Sequence, residues 1–477
     1  MNTPLSESGP TSIAARRLTP PPQPREKTPW LIGFFCLLVP ALPAISVFPG
    51  PLRSNGSPAR IVAILFFALA LLGFVLVSRS GETRTVNPGA VLIGVYFLIQ
   101  LLVYGVGIMH SGNAVLEASK TRAVLSLVAN VGIVLYILKT VKTARQRSIV
   151  LGVLVTGLTF ACVVGLLQSL TAIDLRFLFQ PPGFVLNTEA AGLAGRNGAL
   201  RVVGTSDHAI EFSVLAAAAV PLALHLARYA VKPLHRQLST VACLIALIAV
   251  PAAVSRSGVT SLVAALLVYM FAMSLRQLGY AVLIGLGVLA GYRAAFSSSW
   301  NALWATIVNS EEDVSITSRV GDYAAVSKTF HEHPWFGLGL GGSPPTEYRF
   351  LDNEWLQSTV QGGALGLAAM VLLTVSGIAG IVAGLRCARS PRERDQVYAI
   401  GAAFVGVLAS STAFDLFSFQ QAAFMYFILF GLLWSTYYPS GLRRRPSSHR
   451  NRFTTPLPAS NAVCINDDSV STSSRSV

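Results

Sequence analysis

Charge is scarce in this chain. Of its 477 residues only 12% are Asp, Glu, Lys or Arg, while 53% are hydrophobic and the mean hydropathy is +0.59. No soluble core absorbs that apolar excess, so the composition excludes a soluble enzyme or binding domain. Cysteine is scarce too. The five residues Cys36, Cys162, Cys243, Cys387 and Cys464 all fall outside the predicted exterior loops, which excludes a disulfide framework bracing an exposed surface. Strong zinc spacings are missing: His331 and His333 flank Glu332 without an obvious third ligand. The glycine run FGLGLGG has no Lys-Ser/Thr after it, which excludes a nucleotide phosphate loop. Neither a metal nor a cofactor is called for.

What the chain has in abundance is long apolar runs. Lipid offers backbone amides no partner except each other, so crossing about 30 Å of hydrocarbon takes about 20 apolar residues of helix. Twelve stretches meet that test, near 31–48, 61–77, 90–109, 123–138, 149–170, 209–227, 238–254, 259–274, 278–296, 364–385, 397–413 and 419–438. The expected fold is therefore all-α: a polytopic integral membrane protein of about 12 transmembrane helices. It has one large extracytoplasmic loop containing an amphipathic helix. With the N-terminus cytoplasmic, the inner side collects 24 of the 36 Lys and Arg and 7 of the 21 acids. The inner face is then +17 and the outer −2, in keeping with the positive-inside rule. The net +15 thus reflects topology and not nucleic-acid binding. Clusters such as Arg443, Arg444 and Arg445 read as anchors for anionic membrane lipids.

The predicted organisation is a disordered cytoplasmic N-tail over 1–29, a transmembrane domain over 30–438 and a disordered cytoplasmic C-tail over 439–477. Two exterior loops interrupt the transmembrane domain, at 171–207 and 297–363. Residues 31–48 are read as a retained anchor and not a signal peptide, because a long polar lead precedes them. Gln100 and Gln168 read as groups that stitch helices together. His110, Glu117, Lys120 and Arg122 fall in the second outer loop, either as a solvated loop, the favoured reading, or as the lining of a vestibule.

The chemistry concentrates on the exterior side. In GRNGALRVVGTSDHAIEFS, Asp207 is the expected N-cap of the sixth span, with His208 and Glu211 on one face of its first turn and Arg201 seven residues ahead of His208. A helix N-terminus and an Arg both favour anions, so this corner reads either as a phosphate site or as a lipid head-group contact. Arg256 in PAAVSRSGVTSL lies between two closely spaced apolar runs, where an Arg is costly unless it snorkels or is paired. From Ser318 to Glu332, Val320, Tyr323 and Phe330 recur at helical spacing and predict an amphipathic helix that Pro334 ends. The chain then returns through LDNEWLQSTVQGGALGL.

Taken together, these stretches resemble the O-antigen ligase and polymerase superfamily. RVVGTSDHAIEFS is similar to its Arg-Gly-His motif, VSRSG to its Ser-Arg pair, and HEHPWFGLGLG followed by DNEWLQSTVQGGALGL to its most recognisable signature. The likeness covers about 200–380. It implies a glycan ligase or polymerase in the cytoplasmic (inner) membrane of a bacterium. Such an enzyme acts at the outer face, moving a glycan from a polyprenyl-diphosphate donor to a hydroxyl of a glycan, lipid or protein acceptor. Ligases carry a His before the motif Asn; here Asp352 stands in that place, Asn353 follows, and Gly363 and Gly366 keep the spacing. The resemblance then suggests Arg201 and Arg256, with Arg319 third, as the groups that neutralise the diphosphate. Asp352 is the first candidate for general base, with His208 and Glu354 in reserve. Two other classes compete. A transporter or lipid-linked-sugar flippase would place charges at midplane in repeated halves, which this sequence does not do, and a non-catalytic assembly scaffold would need no such constellation.

Overall fold

The computed structural model describes residues 28–50, 53, 55–77, 86–109, 112–187, 193–196, 198–308 and 314–437, the side chains of 75–77, 196 and 314–320 aside. Both predicted tails, apart from residues 28 and 29, lie outside the described residues, as do His110, Cys464 and the acid cluster at 311–313. The described chain is helix upon helix: α1 Trp30–Ala41, α2 Pro58–Val77, α3 Pro88–Ile108, α4 Ala114–Thr140, α5 Ala144–Thr171, α6 Ala209–Tyr229, α7 Pro233–Ala252, α8 Arg256–Tyr269, α9 Leu275–Ala295, α10 Ser297–Val308, α11 Val314–Glu332, α12 Glu354–Cys387, α13 Pro391–Ser410 and α14 Gln420–Trp434. Seven of these, α3, α4, α5, α6, α7, α9 and α12, are long and apolar enough to cross a membrane, and α1, α2, α8 and α14 are apolar but shorter. The protein is an all-α polytopic membrane protein, and every predicted stretch overlaps a helix.

Local chemistry explains the helix ends. Thr143 with Gln146 and Ser274 with Gln277 form capping boxes that open α5 and α9. Asn87, Asn113 and Ser390 cap α3, α4 and α13. Helix α1 stops at Ala41, well short of the predicted end, because Leu42 precedes Pro43 and is disfavoured in helix. The freed strand β1 (Ser46–Val47) pairs antiparallel with β2 (Val185–Leu186), and β3 (Gly195–Arg196) pairs with β4 (Ala199–Leu200). These two ribbons qualify the all-α expectation: the loop over 171–207 is stapled by β-pairing that its irregular composition did not announce.

The bundle is centred on α6. Its spanning window is 89% buried, against 6% for α9, so α6 is a helix among helices while α9 presents nearly all its face outward. The run Ala216, Ala217, Ala218, Ala219 is entirely buried, and small side chains let α7, α8 and α13 approach closely. At the C-terminal end of α6 a polar staple locks these helices. His225 Nδ1 and the Tyr269 hydroxyl meet the Asp395 carboxylate at 2.6 and 3.1 Å, and Arg228 bonds its other oxygen. A buried carboxylate needs such a full set of partners.

Two departures concern the segment 297–363. Helix α10 was not anticipated; its Trp300 and Trp304 sit in a Ser-rich stretch too short to register as a span. In α11 the buried face is Asp322, Val326 and Thr329, while Tyr323 is 59% exposed, so the apolar stripe is rotated from the predicted one. The cause is polar pairing: Asp322 takes an ion pair from Arg349 at 2.9 Å, and the Thr329 and Tyr348 hydroxyls bond at 2.8 Å.

Candidate functional site

Four helix N-termini, those of α6, α8, α12 and α14, are tied together by hydrogen bonds and ring contacts, and most of the predicted site residues sit at them. The loop entering α6 is held first. Gln168 of α5, fully buried, accepts from the Val203 and Gly204 amides at 3.1 and 2.8 Å and donates to the Gly204 carbonyl at 3.0 Å. Arg176 forks onto Asp174 and donates to the Ser206 and Asp207 carbonyls at 3.1 and 3.2 Å. On this braced loop Arg201 donates through Nε to the Ala253 carbonyl at 3.4 Å. Ala253 opens the turn between α7 and α8, and the first helical residue after it is Arg256, half-buried.

That turn is strained. Val254, fully buried, takes φ +48°, a left-handed conformation that costs a β-branched residue about 1–3 kcal/mol and persists only where the surroundings enforce it. The Val254 amide bonds the Pro251 carbonyl at 3.1 Å, and the adjoining Ser255 hydroxyl is buried with no hydrogen-bond partner among the described residues. The strain sets the direction in which α8, and hence Arg256, begins.

His208, not Asp207 as predicted, is the N-cap of α6. Its Nδ1 accepts from the Ile210 amide at 3.2 Å, so the neutral ring carries its proton on Nε2. Burial, and next the charge of Arg201, push the imidazole down to about 4, which keeps it neutral at physiological pH. A ring in that state offers an N–H to an anion and has no free lone pair with which to take a proton. Asp207 instead donates its amide to the Glu211 carboxylate at 2.9 Å, and the other Glu211 oxygen accepts from Gln421 and Ala422 at 2.8 and 3.0 Å. Glu211 thereby fastens the start of α14 to the start of α6.

The loop over 411–419 joins this corner to α12. Phe419 packs on the His208 ring, centroids 5.9 Å apart. The Phe417 amide donates to Glu354 at 2.8 Å, and Ser358 donates to the other oxygen at 3.2 Å. Glu354 is therefore committed to holding the loop, which leaves little capacity for the reserve role as base. Asn353 is the N-cap of α12, accepting from Trp355 at 2.9 Å. Asp352, just ahead of it and half-buried, contributes its charge to the surroundings of Asp415. Burial, opposed by a bond from Ser418 and reinforced by the Asp352 charge, raises the Asp415 carboxyl to about 7. In the sequence Asp415 stands out at the outer end between the last two apolar stretches, with no role attached.

Gly363 and Gly366 lie where α12 breaks. Gly363 has φ +58° and ψ −143° inside the helix, and the broken ladder is completed from outside. Leu338 donates to the Val360 carbonyl at 2.9 Å, Ala364 to Pro334 at 2.8 Å and Leu365 to Trp335 at 3.3 Å. The glycine-rich turn after α11 is thus a plug for the break. It reaches α3 as well, where the Cα of Gly107 lies 2.4 Å from where a Cβ on Gly339 would stand. Arg319 falls on α11, but its side chain lies outside the described residues.

Between α7, α8, α9 and α10 runs a groove of about 480 Å³ with an almost wholly apolar lining, including Val250, Pro251, Leu262, Trp300 and Trp304. One of its walls is Val259, one turn into the helix that Arg256 begins. The site therefore brings Arg201, His208 and the turn carrying Arg256 together, and joins them through Phe419 and its loop to Asp415 and Asp352.

Compared with known proteins, residues 241–371 match the O-antigen ligase family. The matched stretch contains Arg256, Arg319, Asp352, Asn353, Glu354, Gly363 and Gly366, and begins after Arg201 and His208. No curated protein matches the chain.

Proposed function

We propose, on the match of residues 241–371 to the O-antigen ligase family, a role in membrane glycan ligation or polymerisation and the following reaction. The protein transfers a glycan from a polyprenyl-diphosphate donor to an acceptor hydroxyl on a glycan, lipid or protein. The transfer takes place at the outer face of the cytoplasmic membrane of a bacterium. Twelve helices cross the membrane, both termini are cytoplasmic, and the helix starts that carry the site open outward.

The observation that carries this reading is the bond from Arg201 to the Ala253 carbonyl, since it ties a guanidinium from the loop ahead of α6 to the turn after which α8 begins with Arg256. Four helix N-termini add partial positive charge. In the reaction the acceptor oxygen gives its proton to the Asp352 carboxylate and attacks the anomeric carbon. The bond from that carbon to the diphosphate oxygen breaks, and the electron pair leaves on the polyprenyl diphosphate. Arg201 and Arg256, with Arg319 as a third, neutralise the charge that grows there. His208, neutral with its proton on Nε2, donates to the same leaving group. The apolar groove beside Arg256 suits the isoprenoid chain.

The test uses the purified full chain in liposomes with the lipid-linked donor in the accessible leaflet and an acceptor in the bulk. Transfer of glycan to the acceptor is the expected result. Movement of donor across an intact bilayer without transfer would replace the enzyme reading by a flippase.

A further inference from the structure

A second cavity, of about 120 Å³, lies against Asp207 at the entry to α6. Its walls include Asn55 and Arg60 from the start of α2, Arg122 of α4, Asn187 beyond β2, and Asp207. Arg60 is only 9% exposed. Its Nε and the Oδ1 of Asn55 are buried and have no hydrogen-bond partner among the described residues. A guanidinium in that condition is expensive unless something negative and hydrogen-bonding meets it. Arg122, exposed at the mouth, adds a second positive charge. Asp207 is the one acid among the residues lining the cavity, so the balance is cationic and the lining is polar. The space accommodates a phosphate or carboxylate group.

We propose that Arg60 and Arg122 form an oxyanion site for a phosphate or carboxylate group carried by the acceptor. This deepens the transfer reading and rests on it for the identity of the ligand's carrier. The placement is what favours the acceptor. Arg201 and Arg256, beside the apolar groove, already serve the donor. The second cavity shares Asp207 with the His208 corner, Ser418 with the loop that carries Asp415, and Gln420 with the start of α14. An acceptor anchored there by its anionic group presents a neighbouring hydroxyl to the gap between the two corners. An arginine pair reads a planar or tetrahedral oxyanion through several N–H donors at once, which a neutral acceptor does not engage.

The experiment measures thermal unfolding of the purified full chain in phosphatidylcholine nanodiscs as inorganic phosphate is added. Wild type is compared with Arg256→Ala, alone and combined with Arg60→Gln or Arg122→Gln. Phosphate should raise the midpoint of wild type and also of Arg256→Ala, in which the donor site is weakened, and in that Arg256→Ala background the half-saturating concentration should rise at least tenfold on adding Arg60→Gln or Arg122→Gln. Arg122 is exposed, so its variant keeps the test alive if Arg60→Gln fails to fold. No rise in wild type, or an equal rise in both variants, overturns the site. A second arm replaces part of the phosphatidylcholine with phosphatidylglycerol. A phosphate response that persists supports an acceptor-borne group, and one that disappears assigns the cavity to a lipid head group and overturns the proposal. These readouts need no turnover, so failure of glycan transfer in liposomes and failure of the oxyanion site are seen separately.

Discussion

Replacing Gly363 by Ala tests whether the break in α12 is what aims Asp352 and Asn353. A Cβ at Gly363 would stand 2.6 Å from the Pro334 carbonyl oxygen, 2.7 Å from the Trp335 carbonyl carbon and 2.9 Å from the Gly337 nitrogen. All three are backbone, and none can swing aside. The positive φ alone costs an alanine about 1–3 kcal/mol. Displacing the plug also strains the bonds from Leu338, Ala364 and Leu365 across the break, each worth roughly 1 kcal/mol. The expected loss is about 3–5 kcal/mol. Gly362 is the built-in control: its Cβ would meet only the Val103 methyls, at 3.7 and 3.8 Å, and alanine there gains up to about 1 kcal/mol of helix propensity. Thermal unfolding of the two variants in nanodiscs should place Gly363→Ala clearly below wild type and Gly362→Ala at or above it. Glycan transfer should fall only in the former. Equal stability of the two variants would refute the reasoning.

Glu211→Ala leaves the amides of Asp207, Gln421 and Ala422 without their acceptor and should cost at least about 2 kcal/mol in the same unfolding assay. A neutral effect would show that α6 and α14 are joined by other means. Asp352→Asn should slow transfer at least about a hundredfold with normal membrane abundance, and near-normal turnover removes Asp352 as base. For Asp415 the folded-state carboxyl is raised to about 7. The stability linked to its protonation is therefore complete below the ordinary carboxylate range and is lost as the pH climbs from about 4 through about 7. Asp415→Asn should flatten the decline of the unfolding midpoint over that window, and an unchanged pH profile would contradict the rise that burial gives this carboxyl.

Much of the fold was legible because hydropathy depends on local composition. Each of the twelve apolar stretches became a helix, and Arg256 fell at the start of α8. Cap identity was less legible. Asp207 has the better propensity, yet Glu211 claims its amide, and the cap passes to His208. Glu354 looked free to act as a base, since nothing in the sequence says that the Phe417 amide, far along the chain, will bond it. The second cavity was beyond sequence reasoning for the same reason: Arg60 and Arg122 meet only because α2 packs on α4, and Asn187 joins them once β1 has paired with β2. Where an element depends on hydropathy along one segment, the residues announced it; where a role depends on which groups bond one another, they did not.

The central claim is that Arg201 and Arg256 jointly stabilise a departing diphosphate. The most direct test is the single-turnover rate of glycan transfer from a polyprenyl-diphosphate donor by Arg256→Ala in liposomes, at matched protein abundance. The account predicts a fall of about a hundredfold or more; a rate equal to wild type would contradict it.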